Sequence, residues 1–524
     1  GRTELEYSES DRALMVVHNV YVRIKILDKD GANSANINIP LYKYGNDMEY
    51  VRDIKGRTHN FENGKLVTDD LKKEAIFTDK ASQYRHELKF TLPNIKDNSI
   101  IEYSYRLLSP GVRTFRTWYF QSDLPKIQSE YVAVIPATFV YNTNLKGYLP
   151  LSDQKSTVLN KHFLLGGDRQ DCSKMTYIMK DVPAFKEEDY MLAPINYISS
   201  INYELRTYLD PTGPHTNYAK NWSDIDQDLM LEKEFGGQIK NKGAFKDLMP
   251  TILAGKENKL DKAKAMYYYI QKNITFNNVL GKFAEQGIKK ALETKKGNIA
   301  DINLGLVAGL NAADIEAYPV IISTRNNGIP NFLFPAMTDF NAVICIAKID
   351  GKDYLLDASE KFLPFGELPM SSINDRGRVI FSRSSSDWVP LKNEISSRKQ
   401  YNILGKLDST GKITGTIRIQ YSGLDALYKR NEIDSYNSFE EYEEKQMEKV
   451  TSLRLLSSKV ENIDDMEKPL VEQLDFEMDL RDNFKQDAIL LNPIIYERMS
   501  KNPFKLEERN YHVDFGAPRS ETYN

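Results

Sequence analysis

Cysteine is nearly absent: Cys172 and Cys345 are the only two in 524 residues. That scarcity excludes a disulfide framework and any zinc cluster of the usual cysteine spacing. No apolar run reaches the roughly 18 residues that a membrane-crossing helix needs. Blocks of basic charge are missing too. Lys plus Arg number 70 against 74 Asp plus Glu, interspersed, so no row of phosphates could be neutralised and a nucleic-acid partner has no support. Internal repeats and low-complexity segments are lacking. The chain opens Gly1-Arg2-Thr3 with neither Met nor an apolar leader, which reads as a trimmed or mature product.

What is present is material for packed cores: a 41% hydrophobic fraction, with 31 Tyr and 23 Phe. Single cores stop growing near roughly 250 to 300 residues, so a chain of this length divides into two or three domains.

From residue 13 to about 205 the pattern has period two, as in Val20 to Ile26 and Ile100 to Leu107. Such segments are half-buried strands. Turn signals separate them, among them Asp28-Lys29-Asp30-Gly31, Lys96-Asp97-Asn98 and Leu165-Gly166-Gly167-Asp168, which suits an antiparallel β-sandwich over residues 1–215. The stretch Asp210-Pro211-Thr212-Gly213-Pro214 marks its end.

Residues 216–395 change period. Ala263, Met266, Tyr267, Ile270 and Ile274 fall at helical spacing, giving a helix over about 260 to 273. A second helix begins after Gly297-Asn298, with Asn298 as N-cap and Asp301 at N3, and Ile302, Leu306 and Leu310 along one face. Strands follow near 317 to 324, 340 to 349 and 352 to 358. Residues 396–524 return to strands, notably Lys412 to Tyr421, interrupted by one long helix. In that helix Ser438 and Glu441 form a capping-box pattern, and Phe439, Tyr442, Gln446, Val450 and Leu453 make a stripe.

Lys295 to Asn303, Phe340-Asn341-Ala342-Val343-Ile344 and Tyr354-Leu355-Leu356-Asp357-Ala358 resemble the three signature segments of the transglutaminase-like superfamily. Ala317 to Arg325 and Leu363 to Pro369 extend the likeness, and Asn502 to Arg509 with Val513 to Phe515 resembles the C-terminal domain of such chains. The whole resembles the exported, three-domain Bacteroidota type, whose core lies between two domains of unknown function. The resemblance implies an α+β core of the papain-like cysteine protease type, a β-rich C-terminal domain with an inserted helix, and a periplasmic or outer-membrane-associated location. In that superfamily a Cys, a His and an Asp occupy the places held here by Ile299, Ala342 and Asp357.

Chemistry explains why those residue types matter. A thiol in the first turn of a helix is made nucleophilic by the helix dipole and a neighbouring imidazolium, and Ile299 can supply neither role. Asp350-Gly351 favours a two-residue hairpin. That register pairs 349 with 352 and 342 with 359, leaving 342 and 357 as diagonal neighbours on one face. Ala342 leaves that dyad empty. The six histidines, His18, His59, His86, His162, His215 and His512, all lie outside 216–395. Cys345 is three residues from Ala342 and so points to the opposite face of its strand.

These observations set the expectations. The core is a degenerate, non-catalytic domain needing no cofactor or metal, with Asp357, Ile299, Ala342 and Asn298 as candidate binding residues for a peptide, protein or glycan. Two alternatives stay open. One is an active thiol protease or amine transferase using Cys172 or Cys345 with a histidine from a flanking domain; the other is a hydrolase built on Asp339, Asp353 and Asp357.

Overall fold

The structure is a computed structural model. It describes residues 1–524 apart from 45–46, 82–84, 114, 166, 211–212, 219–220, 333–334, 450–452, 481–483, 486–487 and 490. The chain forms two compact units, Gly1–Lys186 with Tyr197–Ala219, and Glu187–Asn196 with Lys220–Asn524.

The first unit is mostly β. Its eight-stranded sheet runs in the order Asp153–Leu165, Asp168–Val182, Lys126–Pro136, Arg2–Ser8, Ala13–Lys25, Ile100–Pro110, Tyr50–Glu62, Lys65–Asp70. Every pairing in that sheet is antiparallel except one: Arg2–Ser8 lies parallel to Lys126–Pro136, with Arg2 opposite Val132. Two four-stranded sheets complete the unit. The period-two stretches at Val20 and Ile100 are neighbouring strands, with Val20 opposite Tyr105 and Ile24 opposite Ile101. Asp28-Lys29-Asp30-Gly31 differs from a simple turn, for Asp28 caps a 3-10 helix over Lys29–Ala35 by accepting from Asp30 N at 3.0 Å. Alternate residues Leu5, Tyr131, Ala133, Tyr177 and Tyr203 turn inward to form the main core. The expected boundary at Pro211-Thr212 falls on residues outside those described.

In the second unit the core sheet has the order Lys352–Leu356, Ala342–Ile349, Glu316–Ile322, Arg376–Ser382, Ser385–Pro390, all antiparallel. Helix Ile299–Ala312 packs on it and is buried on every side from Ile299 through Leu310. This explains its hydrophobic character all round, since each fully buried Ile, Leu or Val contributes about 1.5 to 3 kcal/mol. Helix Lys259–Asn273 lies over it, capped by Asn258, and its Met266, Tyr267 and Ile270 enter the same core.

The C-terminal sheet has the order Arg454–Glu461, Leu470–Asp479, Lys412–Ser422, Ser397–Leu407, Arg519–Tyr523. Arg519–Tyr523 joins its edge in parallel. Two helices interrupt these strands where one was expected: Leu424–Asp434 and Phe439–Lys449. The first hides in the sequence because Asp425, Lys429 and Arg430 share its buried side with Leu424, Ala426, Leu427 and Ile433. At the second, Ser438 accepts from Glu441 N at 3.2 Å, but the Glu441 carboxylate turns to Asn437 N, so the reciprocal cap bond is displaced by one residue. Val450 lies outside the described residues, and Leu453 lies beyond the helix end.

Candidate functional site

Asn298 and Asp301 build the helix start as a reciprocal capping box. Asp301 N donates to Asn298 Oδ1 at 2.7 Å, and Asn298 N donates to Asp301 Oδ2 at 3.0 Å. The other Asp301 oxygen accepts from Gln286 N and Gly287 N, at 3.1 and 2.7 Å. Asn298 Nδ2 donates to Phe283 O at 2.9 Å. Both cap residues are 1% exposed and fully committed to holding the helix and the 277–287 segment together.

Ile299 is the first helical residue. Its N–H, at a helix N-terminus and so the type of donor able to stabilise an oxyanion, donates instead to Val279 O at 3.3 Å. Its side chain is 3% exposed and shares one apolar cluster with Ala342, Ile344, Phe362 and Leu363. Ala342 opens its strand with no exposed surface. Both side chains lie in packed core.

The hairpin at Asp350-Gly351 forms as expected, with φ of 50° and 80° at the two turn residues and Ile349 opposite Lys352. The ladder stops earlier than the extrapolated register. Its last pair is Cys345 with Leu356, so Ala342 does not pair with residue 359.

Beyond that last pair Asp357 folds back into a turn of its own. Its Oδ1 accepts from Ser359 N at 3.1 Å, Ser359 Oγ at 2.6 Å and Asn303 Nδ2 at 2.9 Å, and its Oδ2 from Ser372 Oγ at 3.2 Å. Asn303 Oδ1 in turn accepts from Ala358 N at 3.0 Å, and Asn303 Nδ2 also reaches Val343 O at 3.0 Å. The carboxylate is 1% exposed. These partners are neutral donors rather than Lys or Arg. Asn303 lies one helical turn from Ile299, and that spacing is the signal that could have identified it.

All four candidate binding residues, Asn298, Ile299, Ala342 and Asp357, are therefore enclosed by the chain's own side chains. The acid trio does not assemble either, for Asp339 accepts from Asn331 N at 2.8 Å while Asp353 stands exposed on its strand opposite Lys348.

Neither cysteine lies in the cluster of Ile299 and Ala342. Cys345 is fully buried in the cluster of Met266, Ile302 and Val307, facing away from Ala342, and burial pushes its thiol far up. Burial, with smaller contributions from Glu4 and Asp171, pushes Cys172 up to about 11. Both are free thiols. A reactive cysteine needs the opposite environment.

Two groups that sequence reasoning missed stand close by. Lys282, in the segment over the helix start, donates to Phe340 O at 3.0 Å, and burial, opposed by Asp339, lowers its ammonium to about 8. Glu367 is 4% exposed, and burial, opposed by Arg430, raises it to about 7. Neither sits in a motif.

The first unit carries an open cavity of about 710 Å³ on its large sheet, lined by Arg2, Asn19, Tyr21, Lys55, Arg106, Glu130 and Lys174 among others.

Family comparison fits this architecture. Residues 14–186 match a family described as a domain of unknown function, DUF3857, and residues 246–348 match the transglutaminase-like superfamily. The second span includes Ile299 and Ala342 and ends before Asp357. A solved structure of a "putative protease" from Parabacteroides distasonis is similar at TM-score 0.52 and 12% identity, over 91% of this chain and 92% of that one. A "putative cysteine protease" from Cytophaga hutchinsonii aligns at TM-score 0.20 and 9% identity, over 71% and 84% of the two chains. No curated protein matches.

The class is thus a multidomain protein with a transglutaminase-like core behind a β-rich domain of the DUF3857 kind. A β-rich C-terminal region completes it.

Proposed function

We propose that this protein is a transglutaminase-like pseudoenzyme of the bacterial cell envelope, one that binds a peptide, protein or glycan or scaffolds a partner. One observation carries the reading: Ile299 and Ala342 share a buried apolar cluster, and the Ile299 N–H is already bonded to Val279 O. Acyl transfer by a thiol needs a nucleophile, a base and a free oxyanion donor, and each of the three is replaced by packing.

With the former centre filled, binding falls to exposed surfaces. The open cavity on the first unit's sheet is of a size that suits a short peptide or sugar segment, and its Arg, Lys, Asn and Tyr side chains offer directional hydrogen bonds. Export to the envelope rests on the three-domain resemblance, and fractionation of cells producing the full gene product tests it.

The function itself is tested by assaying the purified chain for incorporation of a fluorescent amine into a glutamine-containing substrate and for thiol-dependent proteolysis. No turnover is expected in either. Activity abolished by Cys172→Ala or Cys345→Ala would restore the competing reading of a thiol protease or amine transferase with a relocated nucleophile.

A further inference from the structure

The open cavity on the first unit's large sheet, about 710 Å³, crosses six neighbouring strands, from Lys174 on Asp168–Val182 to Asp53 and Lys55 on Tyr50–Glu62. Five steps at the inter-strand spacing of about 4.8 Å make it a trough roughly 24 Å long. That shape suits a chain laid across the strands. One wall is set by a β-bulge. Arg52 faces Arg106 and Lys55 faces Ser104, so Asp53 and Ile54 share one partner position, and Asp53 holds the left-handed backbone at φ 55°. A bulge of this kind re-aims a side chain away from the regular pleat. Asp53 stands 63% exposed, with Arg106 Nη1 at 3.8 Å, too far for a hydrogen bond.

We propose that this trough binds a neutral oligosaccharide, which names the ligand class for the binding role proposed above and rests on that reading. The lining decides between ligand classes. Four cationic side chains, Arg2, Lys55, Arg106 and Lys174, stand beside Asp53 and Glu130. Glu4 pairs with Arg2 at 2.8 Å and Glu6 with Arg106 at 2.7 Å. The charges therefore cancel, and a polyanion gains no net attraction. A peptide binds a sheet chiefly by adding a strand to its edge, and all six strands here are flanked on both sides. Outside the bulge their main-chain groups serve the ladders, which leaves recognition to side chains.

Hydroxyl groups fit what those side chains offer, because each hydroxyl both donates and accepts. On the donor side, Lys55 and Lys174 form no ion pair among the described residues. Nε of Arg2 and Nε of Arg106 have no acceptor among them either, so Glu4 and Glu6 do not saturate the two guanidiniums. Acceptors stand between these donors: the Asp53 carboxylate, and the amide oxygen of Asn19, whose Nδ2 is held by Glu4 at 3.3 Å. Tyr21 is 53% exposed, and its hydroxyl donates to Glu102 at 2.7 Å, which fixes the ring. That ring offers a flat apolar face to the C–H side of a sugar.

The test is calorimetric titration of the full chain with cellohexaose, xylohexaose, mannohexaose and chitohexaose, beside hexagalacturonate and a hexaglutamate peptide. Saturable binding of at least one neutral hexasaccharide is expected, with a Kd below about 1 mM and no change between low and high salt. Asp53→Gly suits the left-handed backbone while removing the acceptor, and Tyr21→Ala removes the ring. Each should weaken binding on the order of tenfold with the melting temperature retained. Failure of every neutral hexasaccharide to bind at that level overturns the proposal, as does binding confined to hexagalacturonate or hexaglutamate. Binding at full strength in both variants overturns the assignment to this trough. Turnover in the amine-incorporation assay would overturn the non-catalytic reading instead, so the two fail separately.

Discussion

Asn303 holds Asp357 from both ends of its amide: Nδ2 donates to the carboxylate at 2.9 Å, and Oδ1 accepts from the next residue's N–H, Ala358, at 3.0 Å. Helix Ile299–Ala312 and the end of the hairpin are tied together through this amide. The Asp357 carboxylate serves as a structural acceptor, and Ser359 and Ser372 complete its bonding.

That arrangement predicts a stability role for Asp357. Replacing it by Ala leaves Asn303 and Ser372 with unpaired buried donors and Ser359 with part-buried ones, the buried donors each costing on the order of 1 kcal/mol or more. Asp357→Ala should lower unfolding free energy in urea by about 2 to 4 kcal/mol. Asp357→Asn, which keeps one acceptor oxygen, should cost less than half as much. Equal stability of Asp357→Ala and the parent chain would show that the network contributes nothing.

Restoring the missing residues should not restore activity. In Ile299→Cys with Ala342→His the new thiol still lies under the 277–287 segment, and the backbone donor is still bonded to Val279 O. Ala342 has no exposed surface, so an imidazole there overpacks the core and should cost about 1 to 3 kcal/mol. Amine incorporation together with thermal melting checks both halves. Turnover in the double variant at unchanged melting temperature would mean that the centre is preformed after all.

Local chemistry made part of this legible in advance. The Asn298–Asp301 cap and the Asp350-Gly351 hairpin rest on residues close in sequence, and both formed at the expected positions. What stayed hidden depends on distant partners. Strand Arg376–Ser382 carries Arg378 at a buried position, which breaks the apolar pattern. It is tolerated because Asp226, 152 residues earlier, accepts from Nε and Nη2 at 2.8 and 2.7 Å. Helix Leu424–Asp434 was missed for the same reason, its buried Lys429 pairing with Glu472 at 3.3 Å. The cover over the Ile299 N–H was equally invisible, because the 277–287 segment that supplies it carries no periodic signal.

Both thiols should stay silent in the folded state. Cys172 and Cys345 are at most 1% exposed, and burial raises both thiols, so little thiolate exists at pH 8. An aromatic disulfide reagent should therefore find no reactive thiol in native protein and two after denaturation. Labelling in the native state should proceed no faster than unfolding. One equivalent reacting within seconds would contradict this burial and revive the relocated-nucleophile reading.

Glu367 predicts a pH dependence with a definite sign. Its carboxyl titrates at about 7 in the folded chain against 4.5 unfolded, because it is buried, with Oε2 lacking a hydrogen-bond partner, and Arg430 only partly compensates. Between those two values the folded state binds the extra proton. This group's contribution is therefore fully present below about pH 4.5 and is lost as pH rises through about 7. The loss amounts to roughly 3 kcal/mol, a magnitude not discounted for screening because the side chain is 4% exposed. Glu360, also raised by burial and then by Asp357, slopes the same way, so the informative quantity is a difference between variants. Glu367→Gln mimics the protonated form. It should match the parent chain near pH 4.5 and exceed it by about 2 kcal/mol at pH 8, measured by urea unfolding at both values. If the variant is instead less stable than the parent at pH 8, the ionised Glu367 must be stabilised by Arg430, and the sign argued here is reversed.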